Sequence, residues 1–229
     1  NTQLAGGIYW LNISVNDTLG NTLSSVIYVN VTKAVTVLTL DASPGWNVTY
    51  PTQTNVSCSA NHNQASVTLM RNSTVVSNPD VQTLGAGVYN YTCTIPESEN
   101  YTSSSIHNDL TVNQNTSTVC ALTVTPSSPT VYGTPVTATC SCTHPNNPAR
   151  LYRNGVDVTG SENGTAVILS AGTHDYVCNV SSDANYSGAS NTTSHTVTKA
   201  NTTLTLSASP GWNVTYPTET NVSCNADND

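Results

Sequence analysis

Ser43-Pro-Gly-Trp-Asn-Val-Thr-Tyr-Pro-Thr52, running on to Asn55-Val-Ser-Cys58, returns almost unchanged as Ser209-Pro-Gly-Trp-Asn-Val-Thr-Tyr-Pro-Thr218 and Asn221-Val-Ser-Cys224. Trp46 and Trp212 stand 166 positions apart. A repeat this close identifies the chain as a segment of an array. A weaker repeat lies inside the long one. At an offset of 82, Tyr50 falls over Tyr132, Cys58 over Cys140 and Arg71-Asn72 over Arg153-Asn154. At an offset of 85, Tyr91 falls over Tyr176, Cys93 over Cys178 and Asn100-Tyr101 over Asn185-Tyr186. The long period is therefore a pair of related domains.

Working outward from that stretch, the chain divides into four parts. Residues 1–32 read as a hairpin, Gly7-Ile-Tyr-Trp-Leu-Asn-Ile13 against Ser25-Val-Ile-Tyr-Val-Asn-Val31, across a polar turn with Asn16, Asp17 and Gly20. Two strands alone are marginal in water, so this is expected to be the last hairpin of a preceding domain. Residues 33–114 form a full unit, with strands expected at 35–40, 54–60, 66–71, near 74, 81–84, 87–95 and 106–112. Residues 115–198 repeat that plan. Residues 199–229 restart the first unit and stop inside its second strand. The junction Thr196-Val-Thr-Lys-Ala-Asn-Thr-Thr-Leu-Thr-Leu206 has no Gly or Pro. It is β-prone, unlike a flexible Gly/Ser tether, so the domains are expected to stack end to end as a stiff rod.

Composition supports an all-β reading. Thr, Val and Tyr favour strands, while Asn, Ser, Gly and Pro favour turns. No stretch longer than about ten residues carries helical apolar periodicity, so almost no helix is expected. Only 8% of residues are charged, and the net charge is −8 with five Lys plus Arg. That balance excludes nucleic-acid binding, which needs a basic face, and argues against docking on an anionic membrane. No apolar run approaches the roughly 18 residues of a membrane span. No signal peptide is visible; for a secreted chain, signal and anchor are expected outside this stretch.

Seven short antiparallel strands in about 80 residues, with turns every 8–12 residues, indicate a β-sandwich. Tyr91-Thr-Cys93 and Tyr176-Val-Cys178 resemble the Tyr-x-Cys of an immunoglobulin-fold F strand, and Cys58 and Cys140 stand where its B-strand Cys belongs. Leu69 and Leu151 occupy the place of the buried Trp of antibody domains. The units thus resemble Ig-like domains rather than true immunoglobulin domains. The Asn- and Thr-rich phrases Asn90-Tyr-Thr-Cys-Thr94 and Asn100-Tyr-Thr-Ser103 also resemble tandem Ig-like repeats of large archaeal, or bacterial, surface, filament or adhesin-type proteins. The resemblance implies bridges Cys58–Cys93 and Cys140–Cys178, each closing a loop of about 35–40 residues and stabilising by roughly 3–4 kcal/mol. Cys120 and Cys142 take the places of Leu38 and Ala60 at the start of strand A and the end of strand B. Strands A and B run antiparallel, so a third bridge, Cys120–Cys142, is expected. Cys224 aligns with Cys58, and its partner is expected beyond residue 229. A metal site of Cys120, Cys140, Cys142 and His144 is the rival reading, set aside because Cys140 already has Cys178. Bridged cysteines place the chain outside the cytosol, in an extracellular or cell-surface setting.

Asn-x-Ser/Thr sequons stand at Asn12, Asn16, Asn30, Asn47, Asn55, Asn72, Asn90, Asn100, Asn115, Asn163, Asn179, Asn185, Asn191, Asn201, Asn213 and Asn221. Side chains alternate along a strand, so Asn55 points away from Val56 and Cys58, and Asn90 and Asn179 from their neighbouring Cys-bearing faces. Covalent N-glycans at many of these sites are expected, and they would supply the hydration that so few charges cannot.

No cofactor and no catalytic centre are expected. His62, His107, His144, His174 and His195 are scattered singly and read as solvated loop residues. No metalloprotease, nucleophile-elbow or phosphate-loop motif occurs. Glu97 and Glu99 read as a turn rather than a glycosidase pair. Asp227-Asn-Asp229 is similar to interdomain calcium ligands but aligns with a B–C loop, and reads as a polar turn. An isopeptide crosslink from Lys33 or Lys199 is a rival reading, redundant beside the bridges. Trp46 and Trp212 read as caps of the core or of the domain junction, with ligand-stacking platforms the alternative. The reading reached is a structural protein, a glycosylated surface stalk or filament, with self-association or neighbouring repeats as partners. An adhesin module binding carbohydrate or protein, and a spacer within a secreted enzyme, are the alternatives.

Overall fold

A computed structural model describes residues 4–227. Contacts divide the chain into two units, residues 1–115 and 116–229. The first opens with β1 (Gly7–Asn16) and β2 (Thr22–Val31), a two-stranded antiparallel sheet. A sandwich follows: β3 (Leu38–Ser43), β4 (Asn47–Thr49), β5 (Thr54–Ala60), β6 (Thr68–Arg71), β7 (Thr74–Val75), β8 (Asp80–Gln82), β9 (Gly87–Ile95) and β10 (Ser104–Asn113). Its sheets run β3-β5-β8 and β4-β10-β9-β6-β7.

The second unit repeats this order. Its strands are β11 (Cys120–Thr125), β12 (Thr130–Val131), β13 (Pro135–Cys142), β14 (Arg150–Arg153), β15 (Val156–Asp157), β16 (Ala166–Ile168), β17 (Gly172–Val180) and β18 (Ala189–Thr198). The sheets are β11-β13-β16 and β12-β18-β17-β14-β15. A single helical turn, α1 (Thr159–Glu162), precedes β16, and a final antiparallel pair, β19 (Leu204–Ser209) and β20 (Asn221–Ala226), ends the described chain. The chain is thus all-β, built of tandem Ig-like sandwiches, with eight strands in each rather than about seven. The extra strand is short: it is the second half of the first strand, moved to the other sheet.

Pro44 explains that move. It has no amide hydrogen, so the β3–β5 ladder stops at Ser43↔Asn55. The chain then crosses the sandwich and resumes as β4, parallel to β10, with Val48 opposite Val112. Strands that change sheet close the corner of a sandwich. The expected strand at 35–40 is therefore displaced to Leu38–Ser43. Its leading residues serve the loop between β9 and β10 instead: Ala34 bridges to Tyr101, and the Thr36 hydroxyl donates to the Thr102 carbonyl at 2.5 Å.

Alternation along the strands builds the core. On β5, Thr54, Val56 and Cys58 are buried while Asn55, Ser57 and Ser59 are exposed. They meet Leu69, Tyr91, Cys93, Leu110 and Val112 from the opposite sheet. Leu69 and Leu151 are both fully buried. Tight hairpins join β6 to β7 and β14 to β15; Asn72 and Ser73, like Asn154 and Gly155, adopt the positive φ that such two-residue turns demand.

The change of offset from 82 to 85 has a structural address. The amide of Val76 donates to Leu69, and that of Val158 to Leu151, so these match at 82. Asn78 and Asn163 both bond the backbone of the B-strand Cys, so these match at 85. Ser77 alone lies between the first two markers; Thr159, Gly160, Ser161 and Glu162 lie between the second two. The three added residues are what builds α1.

Both flanking hairpins keep the register of the complete domains. In β19–β20, Leu206 opposes Cys224 as Leu40 opposes Cys58 in β3–β5. In β1–β2, Tyr9 opposes Val29 as Tyr89 opposes Leu110 in β9–β10. The Tyr9 hydroxyl donates to the Ala5 carbonyl and the Tyr89 hydroxyl to that of Gly85, each at 2.9 Å and each four residues back. Leu11 and Ile13 hold the places of Tyr91 and Cys93, so this hairpin has no counterpart of the bridged F-strand Cys.

Candidate functional site: stapled cores and a sequon-bearing surface

Cys58 is bonded to Cys93, Cys140 to Cys178 and Cys120 to Cys142, with Cα separations of 5.9, 5.4 and 4.1 Å. The first two join opposite sheets. The third joins directly opposed residues of one sheet, β11 and β13. In the first unit the same cross-strand pair is Leu38↔Ala60. Cys224 is unbonded and exposed. The Sγ atoms of Cys120, Cys142 and Cys178 lie within 4.8 Å of one another, but all three are held in disulfides. His144, the fourth member of the rival metal set, accepts the Asn146 and Asn147 amides on Nδ1 at 3.2 and 2.9 Å, which organises its own loop.

Each sandwich holds an ion pair between a buried carboxylate and a half-buried arginine, built differently in the two units. Asp80 is 2% exposed. Its Oδ2 accepts from Arg71 Nη1 at 2.6 Å and from the Tyr91 hydroxyl at 2.8 Å. Burial, with the Asp80 carboxylate beside it, pushes the Tyr91 phenol up to about 12. In the second unit α1 carries the acid, and Glu162 takes Arg153 through two bonds of 2.9 and 2.7 Å. Tyr176 is buried like Tyr91, yet its hydroxyl has no partner among the described residues. Burial also raises its phenol, followed by the Glu162 charge.

The histidine expectation needs correction. His144, His174 and His195 are buried, His62 is half-buried and stacked on Tyr101 at 3.9 Å, and only His107 of the five is exposed. His174 stands where Tyr89 stands in the first unit, and its Nε2 meets the Ser170 carbonyl, four residues back, at 2.8 Å. His195 faces it across the ladder, in the place of Leu110, with Nε2 2.9 Å from Thr130 Oγ1. Burial, then the nearby His174, holds the His195 imidazole below its ordinary value.

None of the sixteen sequon asparagines is buried: eleven are exposed, and Asn100, Asn115, Asn163, Asn179 and Asn185 are half-buried. Asn163 holds both backbone groups of one bridged cysteine. Its Oδ1 accepts the Cys140 amide at 2.8 Å and its Nδ2 donates to the Cys140 carbonyl at 3.2 Å. Asn78, which is in no sequon, does the same to Cys58 at 3.0 and 2.7 Å. The side-chain amide replaces a neighbouring strand beside the bridged Cys, and the Asn163 sequon falls on that clip.

Of the remaining candidates, Trp46, Lys33 with Glu97, and Asp227 make structural contacts. The Trp46 ring meets Tyr91 edge-on at 6.3 Å and packs on the core. Trp212, in β19–β20's loop, is 68% exposed. Lys33 Nζ is held by Glu97 Oε1 at 2.5 Å and the Ser98 carbonyl at 2.7 Å, while Glu99 is exposed. Lys199 is exposed. Asp227 bonds the Thr203 amide and hydroxyl. It closes the A–B ladder as Asn61 does at Val37. Those bonds, led by the hydroxyl, lower its carboxyl. Asn228 and Asp229 lie outside the described residues.

No protein-family description and no curated protein matches the chain. Among solved structures, it is similar to fibronectin(III)-like modules of Clostridium thermocellum CbhA, at 16% identity over 71% of this chain and 95% of that one, with a TM-score of 0.30. It is similar to murine CEACAM1b at 15% identity, covering 72% and 100%, with a TM-score of 0.31. It is also similar to Drosophila N-cadherin EC1-4 at 12% identity, covering 86% and 59%, with a TM-score of 0.33. The fold assignment rests on the strand order and register given above, not on these likenesses. No helix among the described residues is long and apolar enough to cross a membrane.

Proposed function

We propose that this chain is part of an extracellular, N-glycosylated stalk or filament on an archaeal or bacterial cell, assembled from Ig-like repeats. The observation that carries the reading is the joint between β1–β2 and the sandwich after it. The Gly6 amide donates to Asn100 Oδ1 at 2.9 Å. A Cβ on Gly6 would come within 2.9 Å of the Glu99 carbonyl, so the two bodies meet at backbone distance. Lys33 ties the connecting segment to Glu97 and Ser98. A joint with so many fixed bonds resists bending in a way that a tethered domain does not.

The bridges and the outward sequons support an oxidising, glycosylating compartment. Neighbouring repeats are the partners this reading requires, and N-glycans the only added groups. We further infer that Asn163 stays unmodified, because a glycan on Nδ2 would have to displace the clip on Cys140. Electron microscopy of surface material sheared from the native cells tests the function. Uniform filaments carrying this chain support it; recovery of the chain only as soluble, dispersed particles overturns it.

A further inference from the structure

The second sandwich holds an arrangement of sulfurs that the first lacks. Cys140 and Cys142 are two residues apart on β13, so both face the interior. Cys178 faces them from β17. Its Sγ is bonded to Cys140, yet lies only 3.8 Å from the Sγ of Cys142. Two bridges therefore touch at Cys142 and Cys178. They differ in access: Cys120 and Cys142 are half-buried, while Cys140 and Cys178 are 5% and 0% exposed.

We propose that Cys120 is a site of reversible S-thiolation by a small external thiol, with the Cys142–Cys178 contact as the device that accommodates it. The external thiolate attacks Cys120 Sγ, forming a mixed disulfide there, and the Cys120–Cys142 bond breaks with its electron pair leaving on Cys142. The Cys142 thiolate attacks Cys178 Sγ, forming Cys142–Cys178, and Cys140 leaves as a thiolate. One thiolate enters and one emerges, two disulfides remain two, and no net oxidant or reductant is consumed. The two sheets stay joined throughout, because β13 exchanges one of its own cysteines for the other. An ordinary inter-sheet bridge has no such substitute. In the first unit, Leu38 and Ala60 stand in for Cys120 and Cys142, and Cys58–Cys93 has nothing to exchange with.

The test uses the full chain carrying Cys224→Ser, so that no other thiol competes. Folded protein is treated with glutathione, quenched in acid, alkylated and mapped without reduction, with fragmentation between Cys140 and Cys142. The expected products are glutathione on Cys120, a Cys142–Cys178 crosslink and alkyl label on Cys140, with Cys58–Cys93 intact. Label on Cys142 beside an intact Cys140–Cys178 bridge overturns the proposal, as does resistance of Cys120 to glutathione while Cys58–Cys93 opens. A second variant, Cys120→Ala, leaves one thiol without any added reagent. Its label is expected to divide between Cys142 and Cys140 within about a tenfold ratio, since the exchanging bridges are chemically alike. Label on Cys142 alone contradicts the exchange.

Discussion

Replacing Tyr91 and Tyr176 each by Phe gives two substitutions of identical chemistry at matched, fully buried positions, with opposite expected outcomes. The Tyr91 hydroxyl donates to Asp80 Oδ2 at 2.8 Å, and that carboxylate is 2% exposed. Its removal withdraws one of the two donors that Asp80 has in place of water, the other being Arg71. A hydrogen bond to a charged group contributes about 1.5–3 kcal/mol, so Tyr91→Phe should cost roughly 2 kcal/mol. The Tyr176 hydroxyl has no partner among the described residues, and Glu162 is satisfied by Arg153 alone. Phe at 176 removes a desolvated, unpaired polar group, so the change should be near zero or stabilising by up to about 1 kcal/mol. Hydrogen exchange with peptide resolution reads each sandwich separately in the intact chain. Tyr91→Phe should speed exchange of β9 amides about 30-fold under conditions of cooperative opening, leaving β17 unchanged. Tyr176→Phe should leave β17 as slow as before, or slower. Equal costs at the two positions, or the larger cost at 176, would refute the account of how Asp80 and Glu162 are satisfied.

Other expected outcomes follow from the same contacts. The depressed His195 imidazole favours its neutral form in the fold, so its contribution is complete above the ordinary histidine value near 6.5 and is lost as pH falls below it. Acid titration followed by hydrogen exchange should loosen β17 and β18 before β9 and β10, and His195→Leu, the residue type of the first unit, should flatten that difference. Tyr91 acts at the other extreme: its raised phenol stabilises the fold below pH about 10 and that contribution is lost as pH climbs through about 12, readable as loss of β9 protection in alkali that Tyr91→Phe removes. Asn163→Ala and Asn78→Ala each leave a bridged cysteine's amide and carbonyl without their clip, and should lower denaturation midpoints by an amount worth about 1–3 kcal/mol. Replacing Cys58 and Cys93 together by Ala opens a 35-residue closure and should cost roughly 3–4 kcal/mol in urea unfolding of the first unit.

Much of this architecture is legible in the residues because it rests on short-period patterns. The alternation around Val56-Ser-Cys58 and Tyr91-Thr-Cys93 fixes which side chains face inward, and strand β9 begins at Gly87 and ends at Ile95 where the sequence places it. The jump in offset between Arg153 and Tyr176 marks an insertion before any coordinates are known. What it builds is not legible: a helical turn of four residues has no periodicity, and only the fold shows Glu162 delivered to Arg153. The histidines are illegible for a related reason. His174 and His195 are polar residue types on inward positions, and only alignment with Tyr89 and Leu110 in the paired strands reveals that they replace core residues. The clip at Asn163 is hidden by its own sequon, and becomes visible through Asn78, which repeats the bonds without the glycosylation signal. The sheet change at Pro44 can be sensed as a break, but the parallel pairing beyond it depends on a strand some sixty residues away.

The proposed function requires a disulfide-stapled, glycan-coated repeat chain on a cell surface. Peptide mapping without reduction, on material taken directly from native cells, addresses it most directly. The expected map contains Cys58–Cys93, Cys120–Cys142 and Cys140–Cys178, with glycan mass on Asn55 and Asn90 and bare Asn163. Reduced cysteines throughout, or unmodified asparagine at both Asn55 and Asn90, would contradict it.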